Sequence, residues 1–378
     1  MVVHDGAKGP LSGLKVLEVA SLGPGPLAAM LLSDMGADVL RVDRLDDPEL
    51  EDYNSAEQFN FINRGRSSVR LDLKSEVGRK KFLELVECAD ILIEGFRPGV
   101  MERLGIGPED CLRANPAINF LRITGWGQSG PLANRAGHDA NYIALSGLLG
   151  LLGPEGSAPA IPLNFLGDYA AGGLMGVIGA LAAVIETSKS GRGQVIDTAI
   201  VDGSALLTAY VQGQNRAGNW KARGTNFLDG GAPYYNIYEA ADGGYLAFCA
   251  IEERFFQEFV KASGIDGKLF EDRGDSNKWP QMRKDLAEIF LKRSRAEWME
   301  LVGDSDSCLT PILDVNEVFE DPHLQARGIF EESFGLRQPA PAPRFLSTPS
   351  LIQGLPCLPG EMDDSAKERW GILNYEDE

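Results

Sequence analysis

Two short stretches of the chain place titratable side chains where a ligand could reach them. In AGHDANY (136–142), His138 precedes a predicted helix start, so backbone N–H groups there are free to face a ligand. In NFLGDYAAGG (164–173), Asp168 begins a predicted helix whose small residues would let a ligand or another backbone approach closely. Asp139 and Asp168 could equally be N-caps, and His138 a hydrogen-bonded loop residue, so the residues alone leave a catalytic role open.

A glycine-rich turn near the start of the chain matches a dinucleotide-binding fingerprint. The turn GPGPLA (23–28) fits G-x-G-x-x-A, and the acidic Asp43 ends the next predicted strand. Pyrophosphate binding at such a turn uses backbone N–H groups, and the two prolines have none. We therefore do not expect a nicotinamide cofactor here, and Pro26 fits the first position of a helix instead.

A basic island lies between Phe61 and Lys81 of an otherwise acidic chain. The island holds seven Lys or Arg residues against two acidic ones, whereas the whole chain has a net charge of −19. Such a concentration of positive charge favours a pocket for a polyanionic small molecule. We assign four residues to this pocket: Arg64, Arg66, Arg70 and Lys74. The acidic character elsewhere disfavours nucleic acid and anionic lipid as partners.

The elements that would position these residues alternate between strand and helix. The predicted strands are KVLEVA (15–20), ADVLRVDR (37–44), DILIEGF (90–96) and AINFLRITGWG (117–127). Helical patterns separate them, which is typical of a parallel sheet and predicts a doubly wound, Rossmann-like α/β domain. Further helices are predicted from about Asp139 and over about 168–189, followed by a strand that continues into a helix over 193–211.

The pattern changes after residue 214. The stretch 215–235 is rich in Gly, Asn and Arg, and NIYEAADGGYLAFCA (236–250) is typical of a hairpin that amphipathic helices follow. We predict a linker and small α+β domain over residues 215–330. The large domain is predicted over residues 1–214 and is completed by the proline-rich residues 331–378, which wrap back.

Composition bears on the compartment and on the kind of site. The five cysteines are scattered and odd in number, which is typical of a reducing compartment and predicts no structural zinc. No apolar run reaches the roughly 18 to 20 residues that cross a bilayer, and GLMGVIGALAAVIE (173–186) comes nearest. The start, MVVHDGAKGP, lacks a signal-peptide core, and the ending NYEDE is not a peroxisomal signal. We expect a cytoplasmic protein without metal.

Longer stretches resemble the family III coenzyme A transferases, the CaiB/BaiF group. They are LSGLKVLEVASLGPGPLAAMLLSDMGADVLRVDR, RSSVRLDLKS, DILIEGFRPGVMERLGIG, RITGWGQSGP and DPHLQARGIF. The resemblance runs from about Leu11 to Glu332. Within this family, AGHDANY, PLNFLGDYAAGG and FLDGGAPYYNIYE are similar to the α-methylacyl-CoA racemases.

The resemblance implies a Rossmann-like large domain, a small domain, and an interlocked homodimer whose site lies between the large domain of one chain and the small domain of the other. It implies that the basic island faces CoA. It also implies that His138 and Asp168 are an acid/base pair and that Glu252 partners the histidine. The implied contacts with the CoA substrate are Arg44, Leu71, Asp72, Leu73, Lys74, Gly95, Phe96, Arg97, Arg103, Gly137, Asp139, Ala140, Asn141 and Tyr142.

The chemistry that these residues imply is inversion of the carbon next to a thioester. Two proton-transfer groups must lie on opposite faces of that carbon, one removing a proton while the other returns one. Neutral His138 would act on one hand of substrate and ionised Asp168 on the other, with Glu252 orienting His138. Helix N–H groups near Asp139 would hold the enolate oxygen, each worth roughly 3 to 4 kcal/mol. No metal or redox cofactor is required.

Two other functions stay open. In a CoA transferase, Asp168 would be a nucleophile that passes through acyl-enzyme species. His138 favours the racemase, because a transferase needs no imidazole at the α-carbon. A non-catalytic CoA-binding protein would bind CoA without admitting solvent hydrogen into the acyl chain. The acyl group itself is left open among branched fatty, sterol-side-chain and arylpropionyl thioesters.

Overall fold

The computed structural model describes residues 8–45 and 59–372, which belong to two units. The large unit comprises Met1–Ser146, Pro162–Leu207 and Arg327–Glu378, and the small unit comprises Gly147–Ile161 and Thr208–Ala326. These bounds differ from the predicted domains at three places, one of which is residues 327–330, predicted in the small domain but found in the large unit. The segment 147–161 and the stretch 208–214 belong to the small unit, because their residues pack there.

A parallel sheet organises the large unit. Its strands are β1 (Lys15–Val19), β2 (Asp38–Asp43), β3 (Arg66–Arg70), β4 (Ile91–Glu94), β5 (Asn119–Thr124) and β6 (Val195–Ala199). Their order across the sheet is β3-β2-β1-β4-β5-β6. The α/β prediction is therefore confirmed. The order reverses between β1 and β4, and ligands of such sheets bind outside the carboxyl ends of the strands at that point.

Helices cover the two faces of this sheet. The helices of the large unit are α1 (Pro24–Asp34), α2 (Glu76–Glu87), α3 (Val100–Arg103), α4 (Pro108–Ala114), α5 (Asp139–Leu145), the π-helical segment Phe165–Leu174, α6 (Met175–Ser190), α7 (Ile200–Leu207) and α13 (Asp364–Arg369). Successive strand side chains point to opposite faces. Leu17 accordingly packs in one core cluster with Phe82 of α2, and Val16 packs in another with Leu32 of α1 and Val177 of α6.

The predicted basic pocket is wrong for Arg64 and Arg66. Both guanidinium groups are buried in ion pairs, Arg64 at 2.5 Å from Asp34 and Arg66 at 3.0 Å from Glu18. A charge removed from water needs a partner, so these arginines hold the fold together rather than face a ligand. The basic island therefore has a buried part and an exposed part. Arg64 just before β3 and Arg66 at its start are buried, whereas Arg70 at its end is exposed.

One helical stretch of the described residues, Phe165–Ser190, is long and apolar enough to cross a membrane by length and composition alone, with a mean hydropathy of 1.7. The prediction that no run reaches this length was wrong, because the helix continues through Asp168 to Phe165. A helix that packs on the face of a parallel sheet is also long and apolar, so length and composition alone do not distinguish the two cases. Gly176 lies against Ile123 of β5, where a Cβ would come within 2.9 Å of its Cδ1 atom.

The small unit is built on an antiparallel sheet of β7 (Asn236–Glu239), β8 (Tyr245–Phe248) and β9 (Leu309–Pro311). Its helices are α8 (Ala209–Arg216), α9 (Glu253–Ser263), α10 (Trp279–Phe290), α11 (Arg295–Val302) and α12 (Pro322–Arg327), the last ending where the chain returns to the large unit. Its core is rich in aromatic rings, among which Phe259 and Phe290 are 5.6 Å apart between centroids.

The C-terminal segment packs along the large unit. It contains a hairpin of β10 (Phe330–Ser333) and β11 (Leu336–Pro339), then an extended stretch and α13. The extended stretch hydrogen bonds to the β3 region, since Gly65 N–H donates to the Gly354 carbonyl at 3.1 Å and Ser68 N–H to the Glu361 carbonyl at 2.9 Å.

Candidate active site

His138 and Asp168 line the same cavity, of about 160 Å³. The cavity lies at the carboxyl ends of three strands, because its wall includes Gly23 after β1, Gly95 after β4 and Gly125 after β5. This is the edge of the sheet at which the strand order reverses. The two residues that the sequence analysis singled out first are therefore brought together at the expected binding position of the fold.

Asp168 lies in the first turn of the π-helical segment, directly against the glycine-rich turn. Gly23 has φ +75, and a Cβ there would lie 2.8 Å from Asp168 Oδ2. Farther along the segment, a Cβ on Gly172 would lie 2.8 Å from the Pro24 side chain. The two glycine-rich motifs thus pack against each other, and the missing side chains of Gly23 and Gly172 leave the space for this close contact.

Two neighbours hold Asp168, one at its carboxyl and one at its backbone N–H. Asn164 Nδ2 donates to its Oδ2 atom at 3.2 Å, and the Asp168 backbone N–H donates to Asp139 Oδ2 at 2.7 Å. Burial raises the pKa of Asp168, Asn164 lowers it, the negative charge of Asp139 raises it, and His138 lowers it. Asn164 was missed by the sequence analysis, although a residue four positions earlier lies on the same helical face.

His138 is the N-cap of α5, with extended backbone (φ −130, ψ 173) and an exposed side chain. The His138 backbone N–H donates to Asn141 Oδ1 at 3.0 Å. The Tyr142 hydroxyl donates to the Gly137 carbonyl, and its ring packs edge-on against Trp126 with 4.7 Å between centroids. The side chains of Asn141 and Tyr142, both predicted to contact CoA, thus fix the turn that carries His138.

The predicted CoA contacts at Arg44 and Phe96 lie together. The Arg44 guanidinium is 5.4 Å from the centroid of the Phe96 ring. Beneath them, the buried Glu94 carboxylate accepts the Phe96 N–H and the Arg122 Nε–H, both at 2.7 Å. Glu94 and Arg122 position this loop and were missed by the sequence analysis, because a buried ion pair inside strands has no motif of its own.

Arg97 links this loop to the cavity. Burial raises the pKa of the Tyr142 phenol, Asp168 raises it further, and the Arg97 guanidinium lowers it. The Asp168 and Arg97 side chains therefore both lie within electrostatic reach of Tyr142. Arg97 and Arg103 are both exposed, as a phosphate-binding residue must be.

The segment Leu71 to Lys74 alternates in exposure. Leu71 and Leu73 are buried in the core cluster on one face of the sheet, so a contact with CoA would have to use their backbone atoms. Asp72 and Lys74 are exposed. Of the predicted contacts in α5, Asp139 is buried at 6% exposure and Ala140 is half-buried.

Glu252 belongs to the small unit, where it is the exposed N-cap of α9. Its pairing with His138 stays a prediction. Within residues 8–45 and 59–372, no group of three or more His, Cys, Asp or Glu side chains is arranged to hold a metal ion.

The sequence of the chain is similar to those of known proteins. Residues 11–356 match the model of CoA-transferase family III. This chain belongs to that family. It is 41% identical to Alpha-methylacyl-CoA racemase of Mus musculus over 343 residues, 90% of this chain and 88% of the mouse protein. The Homo sapiens protein of the same name is 40% identical with the same coverage.

A solved structure has the same fold. The crystal structure of a CAIB/BAIF family protein from Brucella suis is 27% identical, with a TM-score of 0.80 over 97% of this chain and all of that one (100%). The similarity therefore spans both units and the C-terminal segment.

Proposed function

We propose that this protein is an isomerase that interconverts the R and S forms of 2-methylacyl-CoA thioesters. One observation carries the proposal: an imidazole and a carboxyl line one cavity at the ligand-binding edge of the sheet. Proton exchange at the carbon next to a thioester needs two such groups. The identity to the two racemases supports the same reaction.

The environment of Asp168 suits a group that must both give and take a proton. Burial raises the pKa of its carboxyl, so that the protonated form is accessible nearer to neutral pH. His138 is exposed to the cavity and can exchange its proton on the opposite side. In one direction neutral His138 removes the C2 proton and protonated Asp168 returns one, and in the other direction the roles reverse.

The rest of the substrate is assigned from the surrounding residues. We propose that CoA lies over Arg44 and Phe96, with Lys74, Arg97 and Arg103 facing its phosphates. Asp168 also borders a cavity of about 330 Å³ with a mixed wall, which includes the apolar Leu22 and Ile62 and several polar side chains, and we assign this cavity to the acyl group. Enolate stabilisation by N–H groups at the start of α5, and orientation of His138 by Glu252, stay predictions.

The experiment that tests the roles uses two variants, His138→Ala and Asp168→Ala. Each variant keeps one base, so each should exchange the C2 hydrogen of one diastereomer in D2O without inverting it. Mass spectrometry of each pure diastereomer measures the exchange. If both variants exchange the same diastereomer, the assignment of one base to each face is wrong.

CoA transfer is the alternative, favoured by the activity after which the family is named. There Asp168 would attack an acyl-CoA and release CoA as a thiol, leaving an acyl-enzyme anhydride. Hydroxylamine would trap that species as a hydroxamate at Asp168, and His138→Ala would keep its activity. The racemase predicts no hydroxamate and a loss of inversion in that variant.

We also propose a cytoplasmic location and a homodimer. The evidence for the homodimer is a set of apolar side chains exposed on helices that pack together in the large unit, since such patches mark association surfaces. They are Leu145, Phe165, Leu174, Ile178, Ile185 and Leu206. Sedimentation of the wild type and of Ile178→Glu tests the dimer, and cell fractionation tests the location.

A further inference from the structure

The Asp139 carboxylate closes the start of the helix that carries Asp168. Its Oδ2 atom accepts the Asp168 backbone N–H at 2.7 Å. The first N–H groups of a helix lack partners within it, so this contact satisfies one of them. Gly167 leaves the space that the carboxylate occupies, since a Cβ there would lie 2.3 Å from Oδ2. Sequence and packing thus combine to seat one carboxylate on this turn.

The same carboxylate has an unused oxygen. Asp139 is 6% exposed, and its Oδ1 atom is buried without a hydrogen-bond partner among the described residues. An unsatisfied buried polar atom is costly, by about 1 to 3 kcal/mol, and more when it is charged. A residue that served only as a helix cap would not need this burial, because Ser or Asn would cap equally well.

Asp139 also joins the two proposed bases. It directly follows His138 in the chain and touches the backbone of Asp168 in space. From α5 and its N-cap, Asp139 and His138 shift the pKa of Asp168. Asp168 in turn raises the pKa of Tyr142 in α5. Asn164, the N-cap of the π-helical segment, also shifts the pKa of Asp168. From the turn before α1, Gly23 lies against the Asp168 carboxyl, since a Cβ there would lie 2.8 Å from Oδ2.

We propose that Asp139 is a positioning residue for proton transfer, whose carboxylate fixes Asp168 against the helix start that carries His138. The inference rests on the proposed function. It replaces the direct substrate contact expected for the Asp139 side chain. The negative charge has a second consequence, because it raises the pKa of Asp168 and so favours the proton that Asp168 must donate.

Two substitutions separate the hydrogen bond from the charge. Asp139→Asn keeps an oxygen that can accept the Asp168 N–H but removes the charge, whereas Asp139→Ala removes both. We expect the asparagine variant to lower the pKa of Asp168, which moves the acid limb of the pH–kcat profile to lower pH in the direction that uses Asp168 as base. We expect the alanine variant to lose about 100-fold in kcat, since a displacement of about 1 Å has that effect. KM for the acyl-CoA should change less than about twofold in both.

If the Asp139 side chain instead contacts the substrate, its variants should raise KM and leave kcat and the pH profile unchanged. That result would overturn the inference. Gly167→Ala displaces the same carboxylate from the other side and should reproduce the loss of kcat. Gly274→Ala is its control, because a Cβ there meets nothing within 4 Å. Thermal unfolding checks that each variant is folded. A wild type that exchanges no C2 hydrogen would refute the proposed function before any variant is compared.

Discussion

At the cavity, one carboxyl group is balanced between opposing neighbours. Burial and Asp139 raise the pKa of Asp168, whereas the Asn164 amide and His138 lower it. A carboxyl that must donate a proton in one reaction direction and accept one in the other works best when its pKa allows both the protonated and the ionised form. The amide of Asn164 is thus a contact that, together with His138, favours the ionised form of Asp168.

Removing that amide should shift the balance. Asn164→Ala deletes the hydrogen bond to Asp168 Oδ2, so the pKa of Asp168 should rise. In the direction that uses Asp168 as base, the acid limb of the pH–kcat/KM profile then moves to higher pH. Activity below the limb should fall by up to about tenfold, because a hydrogen bond to a charged group is worth about 1.5 kcal/mol.

The control for this variant is Asn219→Ala, since Asn219 is exposed in the small unit and bonds only to Gln214 among the described side chains. It should leave the profile unchanged. An acid limb that stays in place in Asn164→Ala would contradict the role given to the amide.

The sequence predicted the reactive side chains better than it predicted their supports. His138 and Asp168 lie in motifs with unusual composition, and the structure brings them into one cavity. Asn164, Glu94 and Arg122 act through contacts between segments distant in the chain or through side-chain direction, which residue type alone does not reveal.

Among the elements, the contact between the glycine-rich turn and the π-helical segment decides where Asp168 lies. Gly23→Ala adds a Cβ 2.8 Å from Asp168 Oδ2, so the carboxyl must move. We expect a loss of about 100-fold in kcat, the effect of a displacement of about 1 Å. Gly13→Ala is the matched control, because its φ is also positive (+92) and its Cβ would meet nothing within 4 Å.

Both glycine variants should lose about 1 to 2 kcal/mol of stability, the strain of a side chain at positive φ. Only the change at Gly23 should affect catalysis. Quenched time courses of C2 hydrogen exchange measure the effect on catalysis, and urea unfolding measures the effect on stability. Equal activity in both variants would mean that this contact does not position Asp168.

The basic island should divide into a structural part and a ligand-binding part. Arg66→Met leaves Glu18 buried without its partner, so we expect about 3 to 5 kcal/mol of lost stability. Lys74→Ala removes an exposed charge, so stability should stay within about 0.5 kcal/mol while KM for CoA substrates rises. Urea unfolding and KM measurements test this, and a stable Arg66→Met would contradict the ion pair.

Strands β1, β2, β4 and β5 were predicted because each is a nearly continuous apolar run. Strand β3 was missed, since RSSVR has a single apolar residue and is buried by ion pairs and hydroxyl contacts instead. A helix was predicted from about Asp168, but its start at Phe165 and its π-helical geometry were missed. The small residues 170–173 within it interrupt any side-chain spacing that would distinguish the wider π-helical turn from an α-helix.

For the whole molecule, the resemblance predicts a site completed by the small domain of a second chain. This can be tested by co-expressing two inactive variants and isolating the heterodimer. His138→Ala with Glu252→Ala should restore about half of wild-type activity, because one of the two sites then receives no substitution. His138→Ala with Asp168→Ala should restore none, since both residues lie in the large unit. Equal inactivity of both pairs would contradict a shared site.

The domain prediction illustrates what remains hidden at this scale. The change of composition after residue 214 is visible in the sequence, but the segment 147–161 carries no comparable signal. It belongs to the small unit through contacts such as the Arg223 guanidinium with the Ser157 carbonyl, which join residues far apart in the chain.

The most direct test of the proposed reaction follows a single diastereomer of a 2-methylacyl-CoA with the wild-type protein in D2O. Deuterium at C2 and the ratio of the two diastereomers are measured over the same time course. Racemase chemistry predicts that deuterium enters while the ratio approaches equilibrium from either starting hand. An acyl chain that gains no deuterium, while its CoA moves to an added carboxylic acid, would contradict the two-base account and make Asp168 a nucleophile.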